Sequence, residues 1–122
     1  HSQFESRKKM MEELAEKLNK NFSEKRIKVE IKDQYYNMKE RIEPVFHIVE
    51  LAKTAMLNAG VQPKIKPVRG GTDGSRLSYM GLPCPNIFTG GLNYHGKHEF
   101  IPLESMEKAV QVIIEIVKEA AK

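Results

Sequence analysis

Residues 86–120 read NIFTGGLNYHGKHEFIPLESMEKAVQVIIEIVKEA and give the clearest indication of the fold class. Asn86 to Thr89 are predicted to form a strand, and the residues after Pro102 a long helix. The apolar stripe of this helix, expected to pack against a core, comprises Met106, Ala109, Val110, Ile113, Ile114, Val117 and Ala120. A strand that leads through a polar loop into an amphipathic helix is typical of α/β proteins.

The residues upstream repeat this alternation of helix and strand. A helix is predicted from Pro44 to a left-handed terminator at Gly60, a short strand at Ile65 to Val68, and a short helix from Thr72 or Asp73 to about Tyr79. The stripe of the first of these helices comprises Val45, Ile48, Val49, Ala52 and Met56. The order helix, strand, helix, strand, helix predicts an α/β layer structure with right-handed crossovers.

The first third of the chain has a different pattern. A helix is predicted around Met10, Met11, Leu14, Leu18 and Phe22, which fall on one apolar stripe. Alternation of apolar with charged residues then predicts a one-sided strand over Ile27 to Ile31, as in an antiparallel sheet. The change of architecture near Asp33 to Met38 predicts two domain segments, 1–36 and 37–122. Neither segment is expected to be complete, because a lone half-covered strand and two parallel strands both make poor cores.

Composition excludes a membrane-spanning protein and weighs against a nucleic-acid binder. No run of apolar residues is longer than three, whereas a membrane-spanning helix needs roughly 20. The chain carries 20 basic and 16 acidic residues, and the excess is spread evenly along it, without Arg interleaved with aromatic residues. Neither a membrane nor a nucleic acid is therefore an expected partner. The single cysteine, Cys84, fits a reducing cytosol.

Two polar stretches could carry chemistry. Thr89 to Glu99 follow a predicted strand end, where ligands of open α/β sheets gather, and contain His95 and His98. On pattern alone, metal binding and simple exposure of these histidines remain open alternatives. Arg69 to Gly74 could bind a carboxylate or phosphate at a glycine turn, or could be an ordinary turn capped by Thr72 or Asp73.

Four motifs, in this order and spacing, resemble the peptidase T family of tripeptide aminopeptidases, which are di-zinc exopeptidases with a separate lid domain. They are Tyr35-Tyr36-Asn37-Met38, Arg69-Gly70-Gly71-Thr72-Asp73-Gly74, Gly81-Leu82-Pro83-Cys84-Pro85-Asn86, and Phe88-Thr89-Gly90-Gly91 with Tyr94-His95-Gly96-Lys97-His98-Glu99-Phe100. The resemblance covers essentially the whole chain. It implies that residues 1–36 belong to an α+β, ferredoxin-like lid and residues 37–122 to the C-terminal part of a catalytic domain built on a mixed sheet.

The resemblance also implies roles for individual residues. His95 resembles a late zinc ligand of the family, Arg69 the residue that grips the C-terminal carboxylate of the substrate, and Asn37 a lid-side group that holds the substrate or its oxyanion. His98 and Glu99 are expected to orient the loop. The general base and the other metal ligands of the family have no counterpart in this sequence and are expected upstream.

The resulting expectation is a C-terminal fragment of a cytoplasmic aminopeptidase, inactive by itself, that removes the N-terminal residue of tripeptides with two zinc ions. Its expected partners are the tripeptide, the missing N-terminal part of the same protein and, through the lid, a second copy. The competing interpretations are a non-catalytic α+β binding or dimerisation module and, less well supported by the charge pattern, a basic nucleic-acid binder.

Overall fold

A computed structural model describes residues 2–68 and 70–122. The elements found in these residues are α1 (Ser2–Asn19), α2 (Lys39–Ile42), a 3₁₀ turn (Glu43–Val45), α3 (His47–Asn58), α4 (Asp73–Tyr79) and α5 (Leu103–Ala120). The chain divides into two compact units, His1–Asn37 and Met38–Lys122. None of the described helices is long and apolar enough to cross a membrane.

The first unit consists of α1 and the segment that follows it, residues 20–37. The Asn19 side chain accepts from the backbone N–H groups of Arg26 and Ile27 and donates to the Ile27 carbonyl, which fixes the segment beside the end of the helix. Near the other end of the helix, Lys8 pairs with Asp33. Polar side chains at two points therefore hold the segment against α1.

The predicted stripe of α1 is the exposed side of this helix. Met10, Met11, Leu14, Leu18 and Phe22 are exposed, whereas Ala15 is buried and Lys8 and Asn19 are half-buried. The last three residues are spaced by seven and four positions, so they share one face of the helix. The segment lies on that face of α1, because Asn19 bonds the segment's backbone there and Lys8 pairs with Asp33.

The second unit is organised around the contact between α3 and α5. Ala55 from α3 and Val112 from α5 are fully buried. Around this contact, Lys108 Nζ donates to the Ala59 carbonyl at the end of α3, and Asn58 Nδ2 donates to Glu119 Oε1. As predicted, Gly60 ends this helical stretch with a left-handed backbone, φ +71°.

The helix predicted after Pro102 is confirmed, and its apolar residues are divided between an exposed side and a buried side. Most of the predicted stripe is exposed, including Met106, Val110, Ile113, Ile114 and Val117. Val112 is buried, and Ile116 and Ala109, the latter a member of the predicted stripe, are half-buried at helical spacings from it. Because α5 is apolar on two sides, periodicity alone did not distinguish the side that packs on α3.

The three predicted strands, Ile27 to Ile31, Ile65 to Val68 and Asn86 to Thr89, are not strands in the described part of the chain. A strand requires a neighbour to complete its ladder of hydrogen bonds, and these segments do not pair with one another. The described residues contain one isolated antiparallel bridge, between Leu92 and Phe100. The expected sheet is therefore absent from the described structure.

Candidate functional site

Residues 92–100 form a closed loop. The Leu92 N–H donates to the Phe100 carbonyl at 2.8 Å, and the Phe100 N–H donates back to Leu92 at 3.2 Å. These two backbone hydrogen bonds join the two ends of a nine-residue stretch. The loop presents Asn93, Tyr94, His95, His98 and Glu99 on the surface, because every residue from 92 to 100 is exposed.

His95 occupies an unusual backbone conformation at the tip of this loop. Its φ is +61°, and that of Asn93 is +56°, in the left-handed region that favours glycine. The His95 N–H donates to Glu99 Oε2 at 3.0 Å, and the Gly96 N–H donates to the Asn93 carbonyl at 2.9 Å. Local strain of this kind persists only where surrounding contacts determine it, and here the Glu99 carboxylate supplies one such contact.

The opposite side of the loop is held by Asn93, whose side-chain amide donates to the His98 carbonyl at 3.3 Å. His98 thus contributes its backbone to the loop, while its imidazole is exposed. His95, His98 and Glu99 are brought together in one loop, with Glu99 bonded to the backbone of His95.

The base of the loop rests on two close approaches that require glycine. A Cβ at Gly91 would lie 2.7–2.9 Å from three atoms of the Tyr94 ring and hydroxyl, and a Cβ at Gly90 would lie 2.5 Å from Ser105 Cβ in α5. The hydroxyls of Tyr94 and Thr89 are 2.7 Å apart and share a hydrogen bond. Tyr94 therefore ties the loop to the segment that precedes it.

The turn before α4 is capped by a side chain, which is one of the two alternatives that the sequence leaves open for Arg69 to Gly74. Thr72 is the N-cap, and its hydroxyl accepts from the Ser75 N–H while Ser75 Oγ accepts from the Thr72 N–H. Asn86 Nδ2 also donates to Thr72 Oγ1 at 3.1 Å. The cap by Thr72 is confirmed. Arg69 lies outside the described residues.

The backbone after α4 lies close against this helix. A Cβ at Gly74 would lie 2.5 Å from the Cys84 carbonyl oxygen and 2.8 Å from Asn86 Oδ1. The buried Ser78 hydroxyl donates to the Gly74 carbonyl and accepts from the Cys84 N–H. These contacts make α4 and residues 84–86 one tightly packed piece.

Asn37 is exposed and is the last residue of the first unit, whereas the His95 loop belongs to the second. Tyr36, beside Asn37, donates through its hydroxyl to Asp33 Oδ2.

The described residues do not form a metal centre by themselves. They contain no group of three or more His, Cys, Asp or Glu side chains that could hold a metal ion. The exposed His95 imidazole could supply one donor, but tight zinc sites use three or four protein ligands. A metal centre that uses His95 would therefore need ligands from outside these residues.

Sequence reasoning missed the roles of Tyr94, Asn93 and Asn86. Each acts through a hydrogen bond to a residue 5 to 14 positions away, so no helical or strand period reveals it. Asn93 carried one usable signal, because Asn tolerates the left-handed conformation better than most residues.

The chain matches the profile of "Peptidase family M20/M25/M40" over residues 8–119. It is 59% identical over 116 residues to a protein of Geobacillus thermodenitrificans named "Peptidase T", and 58% identical over 116 residues to one of Bacillus subtilis with the same name. A protein of Shewanella sediminis with that name is 60% identical over 119 residues. The alignments cover 95%, 95% and 98% of this chain, respectively, but only 28%, 28% and 29% of those relatives.

Proposed function

Because this chain belongs to peptidase family M20/M25/M40, we propose that it is part of a metal-dependent aminopeptidase that removes the N-terminal residue from tripeptides. Support comes from relatives named "Peptidase T" at 58–60% identity. The observation that carries the proposal for this site is the closed 92–100 loop, which holds the exposed His95 in a left-handed conformation. The fold expected of the whole protein is α/β, with the sheet completed by residues outside this chain.

In this proposal, His95 provides one imidazole to a zinc centre whose other ligands lie in the remainder of a longer protein. This chain spans about 28% of the length of its relatives, which leaves ample sequence for those ligands and for a general base. Two zinc ions, when bound, would polarise the scissile carbonyl and lower the pKa of a bound water.

The role of Glu99 in the proposal is to hold the backbone of His95, through the bond between its carboxylate and the His95 N–H. His98 helps to close the same loop through its carbonyl, which accepts from Asn93. Both residues orient the loop, and a fixed imidazole position matters because metal ligands tolerate little displacement.

Arg69 and Asn37 complete the proposed set by binding substrate. A guanidinium can hold the C-terminal carboxylate of a tripeptide through two parallel hydrogen bonds. Residues 1–36 would belong to the lid and residues 37–122 to the catalytic domain, and Asn37, on the lid side of their boundary, would offer its amide to the substrate or to the developing oxyanion. A cytoplasmic location and a dimer through the lid are further parts of the proposal.

The decisive experiment is His95→Ala in the full-length peptidase that contains this sequence, with zinc content and tripeptide turnover measured together. We expect bound zinc to fall from two ions towards one and turnover to be lost, since one metal loses a ligand. His47→Ala is the matched control, because His47 is also exposed and begins α3. Unchanged zinc and activity in His95→Ala would refute the ligand role.

Arg69→Lys tests the substrate contact. Lysine keeps the charge but cannot reproduce a bidentate contact, so hydrolysis of free tripeptides should fall. Tripeptides amidated at the C-terminus should show a smaller loss. Equal losses for the two substrates would show that Arg69 does not bind the carboxylate.

The 122-residue chain alone should have no peptidase activity, even with excess zinc, because its described residues do not form a metal cluster. Amine release from a tripeptide measures this directly. Turnover that is lost with a chelator would overturn the fragment interpretation. A monodisperse chain without zinc affinity, together with an inactive full-length protein, would favour a non-catalytic binding or dimerisation module.

A further inference from the structure

In the first unit, Asp33 forms a cluster with Lys8 and Tyr36, both of which donate to its carboxylate. Lys8 Nζ lies 2.8 Å from Asp33 Oδ1 and donates to Asp33 Oδ2 at 2.9 Å, and the Tyr36 hydroxyl donates to the same Oδ2 at 2.5 Å. Lys8 also pairs with Glu5 at 2.9 Å and lies 4.8 Å from the centre of the Phe4 ring. Both carboxylate oxygens of Asp33 are therefore engaged by side chains of this unit.

The cluster is more enclosed than the other ion pairs of the first unit. The Lys8 and Asp33 side chains are 19% and 29% exposed, compared with 77% and 64% for the Lys9–Glu13 pair one residue further along α1. Hydrogen bonds from Lys8 and Tyr36 lower the pKa of Asp33, and the bond to Asp33 raises the pKa of Tyr36. The carboxylate and the neutral phenol are thus the favoured forms over a wide range of pH.

The cluster is also one of two attachments of the segment to α1. Asn19 holds residues 26 and 27 near the end of the helix, and Lys8 holds Asp33 eleven residues earlier in it. The eleven steps of helix from Lys8 to Asn19 span about 16 Å, and the six steps of chain from Ile27 to Asp33 can span about 20 Å when extended. The segment therefore runs back along the helix and delivers Tyr36 to the position where it bonds Asp33.

We propose that Asp33, acting through Tyr36, is a positioning residue for Asn37. The proposal rests on the proposed function, which assigns Asn37 to substrate binding. Tyr36 and Asn37 share a peptide bond, so their Cα atoms are fixed about 3.8 Å apart. Anchoring the Tyr36 side chain to a carboxylate that is itself held by α1 restricts the backbone from which the exposed Asn37 amide projects. Preorganisation of a group that binds developing charge contributes to turnover more than to stability.

A double-mutant cycle in the full-length peptidase tests the proposal, with Tyr36→Phe, Asn37→Ala and the combination of the two. We expect each single variant to lower kcat by roughly tenfold, and Tyr36→Phe to cause no further loss in the Asn37→Ala background, since the tyrosine acts only through the amide. Asp33→Asn should reproduce Tyr36→Phe. Tyr35→Phe removes the adjacent hydroxyl, which does not bond Asp33, and should leave kcat unchanged.

Hydrogen exchange of the backbone amides of residues 34–38 provides a second measurement, independent of activity. Tyr36→Phe and Lys8→Met should speed exchange there by roughly tenfold relative to Tyr35→Phe and Lys9→Met. Additive losses in the cycle would overturn the proposal while leaving the role of Asn37 intact. A normal Asn37→Ala enzyme would overturn both roles, and unchanged exchange would overturn the positioning role whatever the activity of the protein.

Discussion

Each of the two units of the chain has its own internal contacts, and the two differ in their balance of polar and apolar groups. In the first, side chains of Lys8, Asp33 and Asn19 bond α1 to the following segment, in which Ile27 and Val29 are half-buried, and Ala15 of the helix is buried. In the second, Ala55 and Val112 are fully buried between two helices. Polar contacts at a surface depend on ionisation and screening, whereas apolar contacts depend on shape.

This difference sets what each unit should tolerate. The second unit should be sensitive to the loss or gain of a methyl group at its close contacts. The first should accept changes of volume on its stripe, because Met10, Leu14 and Leu18 are exposed, and should respond to loss of a single hydrogen-bonding group. Four experiments separate these behaviours.

The largest loss of stability is expected from Gly74→Ala in the second unit. The added methyl would lie 2.5 Å from the Cys84 carbonyl oxygen, a backbone atom that can move only with its whole segment. Overpacking of this kind typically costs about 3 kcal/mol. Gly60→Ala is the control, since its Cβ would meet nothing within 4 Å and only its positive φ opposes alanine, a cost of about 1 kcal/mol. Hydrogen exchange of α4 amides measures the first variant and that of α3 amides the second, and equal effects would mean that the close approach does not matter.

A smaller loss should follow Val112→Ala at the contact between α3 and α5. Removal of two buried methyl groups should lower the free energy of unfolding of this pair of helices by about 2 kcal/mol. Val110→Ala, on the exposed side of the same helix, should change it by less than about 0.5 kcal/mol. Exchange rates of α3 and α5 amides report the difference. If Val110→Ala is the more damaging, the side of α5 facing α3 has been assigned wrongly.

The sequence predicts the helices well because the signals that define them are local. Thr72 caps α4 through a residue three positions away, Pro102 stands at the start of α5, and Gly60 ends the stretch that follows α3. The predicted strands are not found among the described residues, because a strand depends on a distant partner. Periodicity did not indicate which side of α1 or α5 is buried in this chain, because each helix offers more than one surface. Periodicity gives the helix but does not select the face when a second apolar or polar side can also make contacts.

In the candidate site, too, some features could be predicted from the sequence and others could not. His95 and Glu99 are four residues apart in one polar loop, so their proximity could be anticipated from sequence. The left-handed backbone of His95 could not, since non-glycine residues rarely adopt it and no local pattern requires it here. Lys8 and Asp33 are 25 residues apart, beyond the reach of any pattern within one element.

In the first unit, Asn19→Ala should have a smaller effect than Val112→Ala. It removes an acceptor for the Arg26 and Ile27 N–H groups and a donor to the Ile27 carbonyl, but water can replace these partners where the segment is exposed. We expect a loss of about 1 kcal/mol, confined to residues 20–33, with Asn21→Ala as the exposed control. Exchange of the amides in that segment is the measurement. A loss that spreads into α3 or α5 would contradict the independence of the two contacts.

The smallest effect, and the most selective, should come from pH. The Lys8 and Tyr36 hydrogen bonds lower the pKa of Asp33 in the folded chain, so this carboxylate stabilises the first unit above its unfolded pKa of about 3.9. That contribution is lost as pH falls through the lower folded value. The pKa of Tyr36 is raised by its bond to Asp33, so its contribution is present below the unfolded value of about 10 and is lost as pH rises through the folded one.

Exchange protection of residues 33–36, corrected for intrinsic rates, should therefore be flat between these limits and fall outside them. Asp33→Asn should remove the acid limb while leaving the pH dependence of the α3 and α5 amides unchanged. An acid limb that survives Asp33→Asn would assign the titration to another carboxylate, and one that appears equally in α5 would show that the two units do not differ in the way their contacts imply.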